Sequence, residues 1–304
     1  MYRNKHTAFK RALYRIQELI PATRRIKGMF LPFRVSSFEK RLDRWRKSVA
    51  EAREATGRSP LFNHVEIETF NRCNGECGFC PVNRHLDPRK PTKMTDELFS
   101  SIVGQLRELD YRGEVCLFSN NESLLDDRLE RFAAETRAAL PAACILLSTN
   151  GTLLTPDRYR ALIDSTDLFH VNNYCDDFRL TPMAEEIMAL AKTRTDWWEK
   201  THIVVRYRRE IMSSRGGQAP NKRDLPPPAL KTGCAYPASQ LVIRPDGKLS
   251  LCCNDAIGVH TMGDLAVQSL AEAWWSERYE TVRTTLLAGR GGFELCRGCD
   301  TLGD

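Results

Sequence analysis

The sequence lacks any long apolar run. No stretch approaches the roughly 20 apolar residues that a membrane-spanning helix needs, so we expect no membrane span. The N-terminus also lacks the apolar core and the small-residue cleavage site of a signal peptide. We therefore expect a cytoplasmic protein.

Cysteine is abundant by contrast. The chain contains 11 cysteines among 304 residues, a length sufficient for one large domain and a smaller one. In a cytosolic protein, so many cysteines indicate metal binding rather than disulfide bonding. The composition therefore predicts a metalloprotein.

The net excess of basic charge lies in the N-terminal extension, residues 1–60. These residues contain 16 Lys and Arg against 5 Asp and Glu, a net charge of +11, which leaves −5 for the rest of the chain. Amphipathic patterns predict one helix at residues 8–20 that ends at Pro21, an apolar joint at residues 28–33, and a second helix capped by Ser37. We interpret these helices as packing on the main domain with a basic face to solvent. Contact with an acidic partner, nucleic acid or a membrane surface is the alternative. No aromatics interleave with the charges, so we do not expect nucleic-acid binding.

Strand-like and helical runs alternate from residue 61 to about residue 210. The predicted strands lie at residues 64–70, 114–120, 144–150, 168–174 and 202–208, with helices at 95–109, 126–140, 155–165 and 181–192. Two of the helices begin with a Thr-Pro pair, an N-cap followed by proline in the first turn. The alternation predicts an α/β fold with a parallel sheet whose sites lie at the carboxyl ends of the strands.

Three cysteines follow the first predicted strand in C-x3-C-x2-C spacing: Cys73, Cys77 and Cys80. Two intervening glycines allow the loop to fold back, so the three thiolates can converge. Three thiolates suit an iron–sulfur cube whose fourth iron is open to a non-protein ligand. A zinc site is the alternative and needs a fourth ligand, for which His85 is the nearby candidate.

A second cysteine set lies near the C-terminus, beyond a linker at residues 213–232. A hairpin is predicted at residues 241–244 and 248–251 around a Pro-Asp-Gly turn, followed by helices at 265–275 and 278–287. Four cysteines frame these elements: Cys234, Cys252, Cys296 and Cys299. Four thiolates suit either an iron–sulfur cluster or zinc.

Both cysteine patterns resemble those of one enzyme family. The spacing of the first set resembles the cluster motif of the radical S-adenosylmethionine (SAM) enzymes, and the second resembles their SPASM/Twitch extension in its one-cluster form. The resemblance covers residues 64–299 and implies a partial (β/α) barrel at 61–212 and a small hairpin-plus-helix cluster domain at 233–304, which the linker at 213–232 connects. The basic helical extension at residues 1–60 lies outside the resemblance. The resemblance also implies SAM and two [4Fe–4S] clusters as cofactors, one cluster bound by each cysteine set, with SAM on the open iron of the first.

Five further positions resemble the SAM contacts of this family. Phe79 stands where an aromatic lies beside the adenine. Glu122 is what remains of a Gly-Gly-Glu-Pro element that binds the amino group of SAM. Asn150 lies in a Thr-Asn-Gly-Thr-Leu turn of the SAM pocket, Asn172 stands at a ribose-contacting position, and Arg206 resembles a partner of the SAM carboxylate.

The resemblance implies that the reduced first cluster cleaves SAM, and that the resulting 5′-deoxyadenosyl radical takes a hydrogen atom from a substrate carbon. We expect epimerisation of an aminoglycoside or aminosugar, with the unassigned Cys253 returning hydrogen to the carbon. Cys175 is a second candidate donor, and we interpret Cys116 and Cys144 as core residues.

Other functions remain open. Within the family, they are two-electron dehydrogenation of an aminocyclitol with the auxiliary cluster as electron acceptor, and modification of a ribosomally made peptide. A zinc-binding nucleic-acid module and an iron–sulfur electron carrier are alternatives from other classes. The expected partners are a small-molecule, aminosugar-like substrate and a reductant such as flavodoxin or ferredoxin.

Overall fold

The computed structural model describes residues 20–222, 230 and 232–302, with side chains from residue 35 onward. Residues 8–19 of the predicted N-terminal helix and the proline-rich part of the linker at 226–228 lie outside this description. No helix in the described ranges has both the length and the apolarity that crossing a membrane requires.

One mixed sheet organises the molecule. Its strands are β1 (His64–Ile67), β2 (Glu114–Cys116), β3 (Cys144–Thr149), β4 (Leu168–Cys175), β5 (Thr201–Tyr207), β6 (Gln240–Ile243), β7 (Lys248–Ser250) and β8 (Thr261–Asp264). The spatial order is β5-β4-β3-β2-β1-β6-β7-β8. Strands β1 to β6 pair in parallel, and β7 and β8 add antiparallel strands. The predicted α/β fold, a partial barrel with a small C-terminal addition, is confirmed.

Helices cover the outer face of the parallel strands. They are α2 (Asp96–Glu108), α3 (Leu129–Ala139), α4 (Pro156–Ile163), α5 (Pro182–Ala191) and α6 (Thr195–Lys200). The two predicted Thr-Pro starts are confirmed, because the Thr155 and Thr181 side chains accept hydrogen bonds from the backbone N–H groups of Arg158 and Ala184. Apolar side chains of these helices and of the outward strand positions form one large core.

Burial alternates along β4 and β5, so the inner face of these strands is separate from this core. In β4, Phe169 and Val171 are buried in the core, whereas His170, Asn172 and Tyr174 are only partly buried. Because alternate strand residues point to opposite faces, the polar positions line the inside of the partial barrel. The interior is therefore available for a site.

The C-terminal region contains α7 (Tyr236–Ser239), α8 (Leu270–Trp274), α9 (Glu277–Ala288) and α10 (Glu294–Arg297). The predicted hairpin is confirmed as β6 and β7. The helix predicted from residue 265 begins instead at residue 270, because Ser269 and Glu272 form a reciprocal capping box there. The strand β8 precedes it, and the Asp264 carboxylate accepts a hydrogen bond from the Ala266 N–H in the intervening turn.

One long helix, α1 (Ile20–Thr56), replaces the predicted joint and second helix. The stop predicted at Pro21 belongs to a helix at residues 8–20 that lies outside the described residues except for Ile20, so it stays a prediction; Pro21 itself is helical in α1. The helix also continues through Pro32 and Ser37. An interior proline costs about 3 kcal/mol, which the packed second half of this 37-residue helix offsets. That half buries Phe38, Leu42 and Val49 against the C-terminal region, so the predicted packing is confirmed for residues 35–56; the apolar partners there are Ala238, Leu287 and Leu302.

Candidate active site

The loop that follows β1 brings the first three cysteines to one cavity. Cys73, Cys77 and Cys80 all line it, at the carboxyl ends of the parallel strands. The Gly75 N–H donates to Cys73 Sγ at 3.3 Å. A Cβ atom on Gly75 would lie 3.3 Å from Cys73 Sγ and 3.9 Å from Cys77 Sγ. The loop therefore leaves beside these sulfurs a space that a side chain would fill.

Glu122 lies on the opposite wall of this cavity and is buried. Its Oε1 atom accepts hydrogen bonds from Thr149 Oγ1 at 2.5 Å and from the Leu124 N–H at 3.2 Å. Its Oε2 atom accepts from the Asn150 N–H at 2.7 Å. Burial raises the pKa of Glu122, whereas these donors oppose the rise. The carboxylate is thus held rigidly by the turn after β3.

Three other predicted contact residues line the same cavity, namely Phe79, Asn150 and Asn172. The Asn150 amide donates to Asn74 Oδ1 at 2.8 Å, which connects the β3 turn to the cysteine loop. The Asn172 amide donates to Ser148 Oγ at 2.8 Å. Four of the five positions chosen from the sequence are therefore brought together around the cysteines.

Arg206 is the exception, since it does not line the cavity. Its Nε atom donates to Asn172 Oδ1 at 2.9 Å, and its Nη1 atom lies 3.0 Å from Glu210 Oε1. It therefore reaches the cavity through Asn172. The buried Glu210 carboxylate binds the Arg206 guanidinium and so keeps it from the cavity. The strand pattern in the sequence did not reveal this ion pair.

Tyr174 and Arg215 are among the cavity-lining residues that sequence reasoning missed. Tyr174 continues the inward alternation of β4, and its ring centroid lies 6.0 Å from that of Phe79. Arg215 was placed in a linker, yet it has a left-handed φ of 47° and precedes two glycines with positive φ. The Arg-Gly-Gly triplet was the available signal, because consecutive glycines permit such a tight turn.

The four C-terminal cysteines form a second group. Negative charge at Cys234 and Cys299 contributes to raising the pKa of Cys296, after the larger effect of burial, and the same two thiols act on Cys252. The buried Arg290 guanidinium donates to the carbonyls of Gly233, Cys299 and Thr301; the three distances are 3.0, 3.2 and 2.6 Å. Arg290 therefore joins the two chain segments that carry Cys234 and Cys299.

The turn at Cys252 and Cys253 contacts the cavity wall. The Cys253 carbonyl accepts from Asn120 Nδ2 at 3.2 Å and from Arg215 Nη1 at 3.4 Å, and both donors line the cavity. The Cys253 N–H donates to Gln240 Oε1 at 3.1 Å. Cys253 itself does not line the cavity. Cys175 packs instead in a separate apolar cluster with Phe178, Val205 and Tyr207.

The cysteine thiols fit cationic clusters. Burial, together with other causes, raises the pKa of Cys73 and of Cys77 to about 12, so each thiolate needs a cation nearby to form at neutral pH. A zinc ion with sulfur ligands at 2.3 Å would bring its ligands within about 4 Å of one another. In the described ranges, the one group of three ligands with all donor atoms within 4.8 Å contains neither cysteine set. The sulfur atoms of each cysteine set are therefore spaced more widely than a single zinc ion requires, and this spacing suits an iron–sulfur cube, which is larger than one ion.

A zinc site at the first cysteine set would need His85 as its fourth ligand, but His85 does not lie with these cysteines. Its Nε2 atom lies 3.3 Å from Glu76 Oε1, and the side chain is 61% exposed. The ring therefore faces a surface carboxylate.

Comparison with known proteins identifies the class. Residues 67–178 match the radical SAM superfamily, and residues 234–300 match SPASM, an iron–sulfur cluster-binding domain. The chain therefore contains a radical SAM domain followed by a SPASM domain. SAM and two [4Fe–4S] clusters are its cofactors, as the resemblance implied. These matches exclude the zinc-binding module and the simple electron carrier as its class.

Individual relatives extend this comparison. The chain is 26% identical over 248 residues to the S-adenosyl-L-methionine-dependent 2-deoxy-scyllo-inosamine dehydrogenase of Niallia circulans, covering 80% of this chain and 94% of the relative. The crystal structure of BtrN in complex with AdoMet and 2-DOIA shares the fold, with a TM-score of 0.68, 24% identity and coverage of 80% and 94%. Streptococcus suis SuiB bound to its precursor peptide SuiA is also similar in fold, with a TM-score of 0.55, 13% identity and coverage of 84% and 73%.

Proposed function

We propose that this radical SAM enzyme oxidises an alcohol of an aminocyclitol by two electrons. In this proposal Cys73, Cys77 and Cys80 hold the SAM-binding cluster, and the auxiliary cluster is held by Cys234, Cys252, Cys296 and Cys299. The similarity to the 2-deoxy-scyllo-inosamine dehydrogenase over most of both chains supports this reaction. It favours the dehydrogenase alternative over the epimerase expected first.

The observation that carries the proposal is the contact between the cavity wall and the turn that contains Cys252, one of the four cysteines of the second group. Asn120 and Arg215 line the cavity and both donate to the carbonyl of Cys253, the residue next to Cys252. A substrate in this cavity would lie close to a ligand of the auxiliary cluster. Such proximity suits an electron acceptor for an oxidation.

The chemistry divides between cofactors and protein. An alcohol that becomes a ketone gives up one hydrogen atom, one electron and one proton. When bound, SAM and the clusters would supply the acceptors for the hydrogen atom and the electron, and the proton would pass to a base or to water. The residues of this chain hold the cofactor and substrate in orientation and exclude other hydrogen donors. Asn120 and Arg215 orient the cluster-bearing turn against the cavity.

The SAM contacts follow from the cavity lining. We assign the amino group of SAM to Glu122, because a buried carboxylate held by three donors favours a cationic partner. Phe79 would lie beside the adenine, Asn172 at the ribose, and Asn150 at the turn that closes the pocket. Arg206 acts by positioning Asn172, since it donates directly to that amide oxygen.

Epimerisation is the second candidate because of Cys253. This thiol is left over when the four-cysteine set is assigned, and its backbone contacts two cavity residues. The peptide-modifying alternative has less support, because the likeness to SuiB is one of fold alone.

The test uses anaerobically reconstituted enzyme with reductant, SAM and 2-deoxy-scyllo-inosamine in D2O. We expect a product two mass units lighter than the substrate, formed equally by wild type and Cys253→Ala. An inverted product that carries one deuterium, lost in Cys253→Ala while 5′-deoxyadenosine still forms, would contradict the dehydrogenase proposal and establish the epimerase. A panel of related aminoglycosides extends the test to other substrates.

A further inference from the structure

A second group of potential metal ligands lies inside the barrel, at the amino ends of β1 and β2. His64 and Glu114 are the first residues of these strands and pair directly across them, and Cys116 follows on the same face of β2. Glu114 Oε1 lies 2.6 Å from His64 Nδ1, and Cys116 Sγ lies 3.7 Å from His64 Nε2 and 3.5 Å from Glu114 Oε1. One donor atom from each residue falls within 4.8 Å of the other two.

Neighbouring side chains orient this group. Glu66 lies one inward position along β1, and its Oε1 atom is 3.2 Å from His64 Nε2. Gln240 donates to that same Oε1 atom at 2.9 Å, and Ser119 Oγ donates to Oε2 at 2.5 Å. The second carboxylate is therefore fixed beside the imidazole. Ligands whose orientation is set by further hydrogen bonds are typical of built metal sites.

More residues of the same chemical type surround the group. Cys144 pairs with Glu114 across β2 and β3. His170 lies close enough to influence the charge of Glu114, and its ring centroid is 5.2 Å from that of His202. Within the described residues, His202 Nε2 is buried without a hydrogen-bond partner. Donors suited to a transition metal thus collect at this end of the barrel, where a structural core would be apolar.

We propose that His64, Glu114 and Cys116 bind one zinc ion. An imidazole nitrogen, a carboxylate oxygen and a thiolate are the three donor types that zinc takes in proteins. Side-chain exposures of 28% for His64 and 33% for Glu114 leave an approach for the ion and a position for a water or for Glu66. The ion would link β1 to β2.

None of the three proposed ligands lines the SAM cavity, although Ser119, which does line it, donates to Glu66. Along β3, Cys144 stands at the amino end, whereas Ser148 and Thr149 line the cavity. At about 3.3 Å per strand residue, the two ends are more than 10 Å apart. The zinc proposal therefore does not depend on the proposed oxidation, and the failure of one would leave the other intact.

The test measures zinc in the holoenzyme. Protein is produced in zinc-supplemented medium, purified anaerobically with both clusters intact, and passed over a chelating resin before zinc and iron are measured together. We expect about one zinc per chain, and a zinc X-ray absorption spectrum with a single sulfur ligand among nitrogen and oxygen ligands. His64→Gln and Cys116→Ser should lower the zinc content at least about tenfold and leave iron unchanged.

His260→Gln and Cys175→Ser are matched controls, because each makes the same chemical change away from the group; both should retain zinc. Three results would overturn the proposal: zinc-free wild type, zinc retained in both ligand variants, or a spectrum with three or four sulfur ligands. The last would place zinc in the cysteine sets. Because the X-ray absorption spectrum is recorded on the wild type, it tests the proposed zinc ligands even if a variant fails to fold.

Discussion

The two cysteine sites differ in how accessible their sulfur atoms are to a bound molecule. The first set lies on a loop at the edge of the barrel, faces an open cavity, and has polar side chains opposite it. The second set lies between β7, α7 and α10 and is enclosed by hydrogen bonds from the buried Arg290. In the proposed assignment, three thiolates hold the cluster that a non-protein ligand must reach, and four thiolates hold the cluster that no such ligand must reach. The number of ligands therefore follows the access that each site needs.

Removing a thiol from the open site should have the largest effect. We expect Cys77→Ala to lose about half of the iron and all SAM cleavage, because two protein thiolates do not retain a cubane that can bind SAM. Iron, sulfide and 5′-deoxyadenosine would be measured together. Cys175→Ala, whose thiol belongs to neither set, should behave as wild type. Normal SAM cleavage in Cys77→Ala would contradict the assignment of the open site.

Removing a thiol from the closed site should separate cleavage from oxidation. In Cys296→Ala the first cluster remains, so 5′-deoxyadenosine still forms, but the substrate has lost its electron acceptor. The ratio of oxidised product to 5′-deoxyadenosine should fall at least about tenfold. An unchanged ratio would show that the auxiliary cluster takes no part in the oxidation.

The hydrogen bonds of Arg290 around the second cysteine set can be removed without mutating any of its four cysteines. Arg290→Met leaves three carbonyls without their donor, and we expect a loss of about 3 kcal/mol in the stability of the C-terminal region. Thermal unfolding and retention of the auxiliary cluster's iron would be followed in the holoenzyme. Arg297→Met is the matched control, because that side chain is exposed on α10. Equal behaviour of the two variants would contradict the role of Arg290.

Gly75 allows a smaller test of the open site. In Gly75→Ala, the new Cβ would stand 3.3 Å from Cys73 Sγ, so we expect a cost of about 1 kcal/mol and weaker retention of the first cluster. In Gly78→Ala the nearest atom is 3.8 Å away, so that variant should retain its cluster. The measurement is iron content after dialysis against a chelator. A greater loss in Gly78→Ala would contradict the packing described for this loop.

Much of the barrel follows from local sequence signals. Alternation predicted the five parallel strands β1 to β5, and the Thr-Pro pairs predicted the starts of α4 and α5, because caps and side-chain alternation act over a few residues. The cysteine spacing also located the open site, since its three ligands lie within one loop.

Non-local contacts explain what the sequence did not predict. The parallel pairing of β6 with β1 joins residues 64 and 240, a contact that no local pattern encodes. Arg215 reaches the cavity only because its turn folds against Asn120. His64 and Cys116 similarly become neighbours through strand register. The interpretation of Cys116 as a core residue is confirmed, because the residue is 1% exposed.

The most direct test of the comparison is electron paramagnetic resonance of the reduced protein with and without SAM. An open three-thiolate cluster and a closed four-thiolate cluster predict two signals, of which SAM changes one. In Cys296→Ala the SAM-sensitive signal should remain alone. A protein in which SAM changes both signals, or neither, would contradict the account of one open and one closed site.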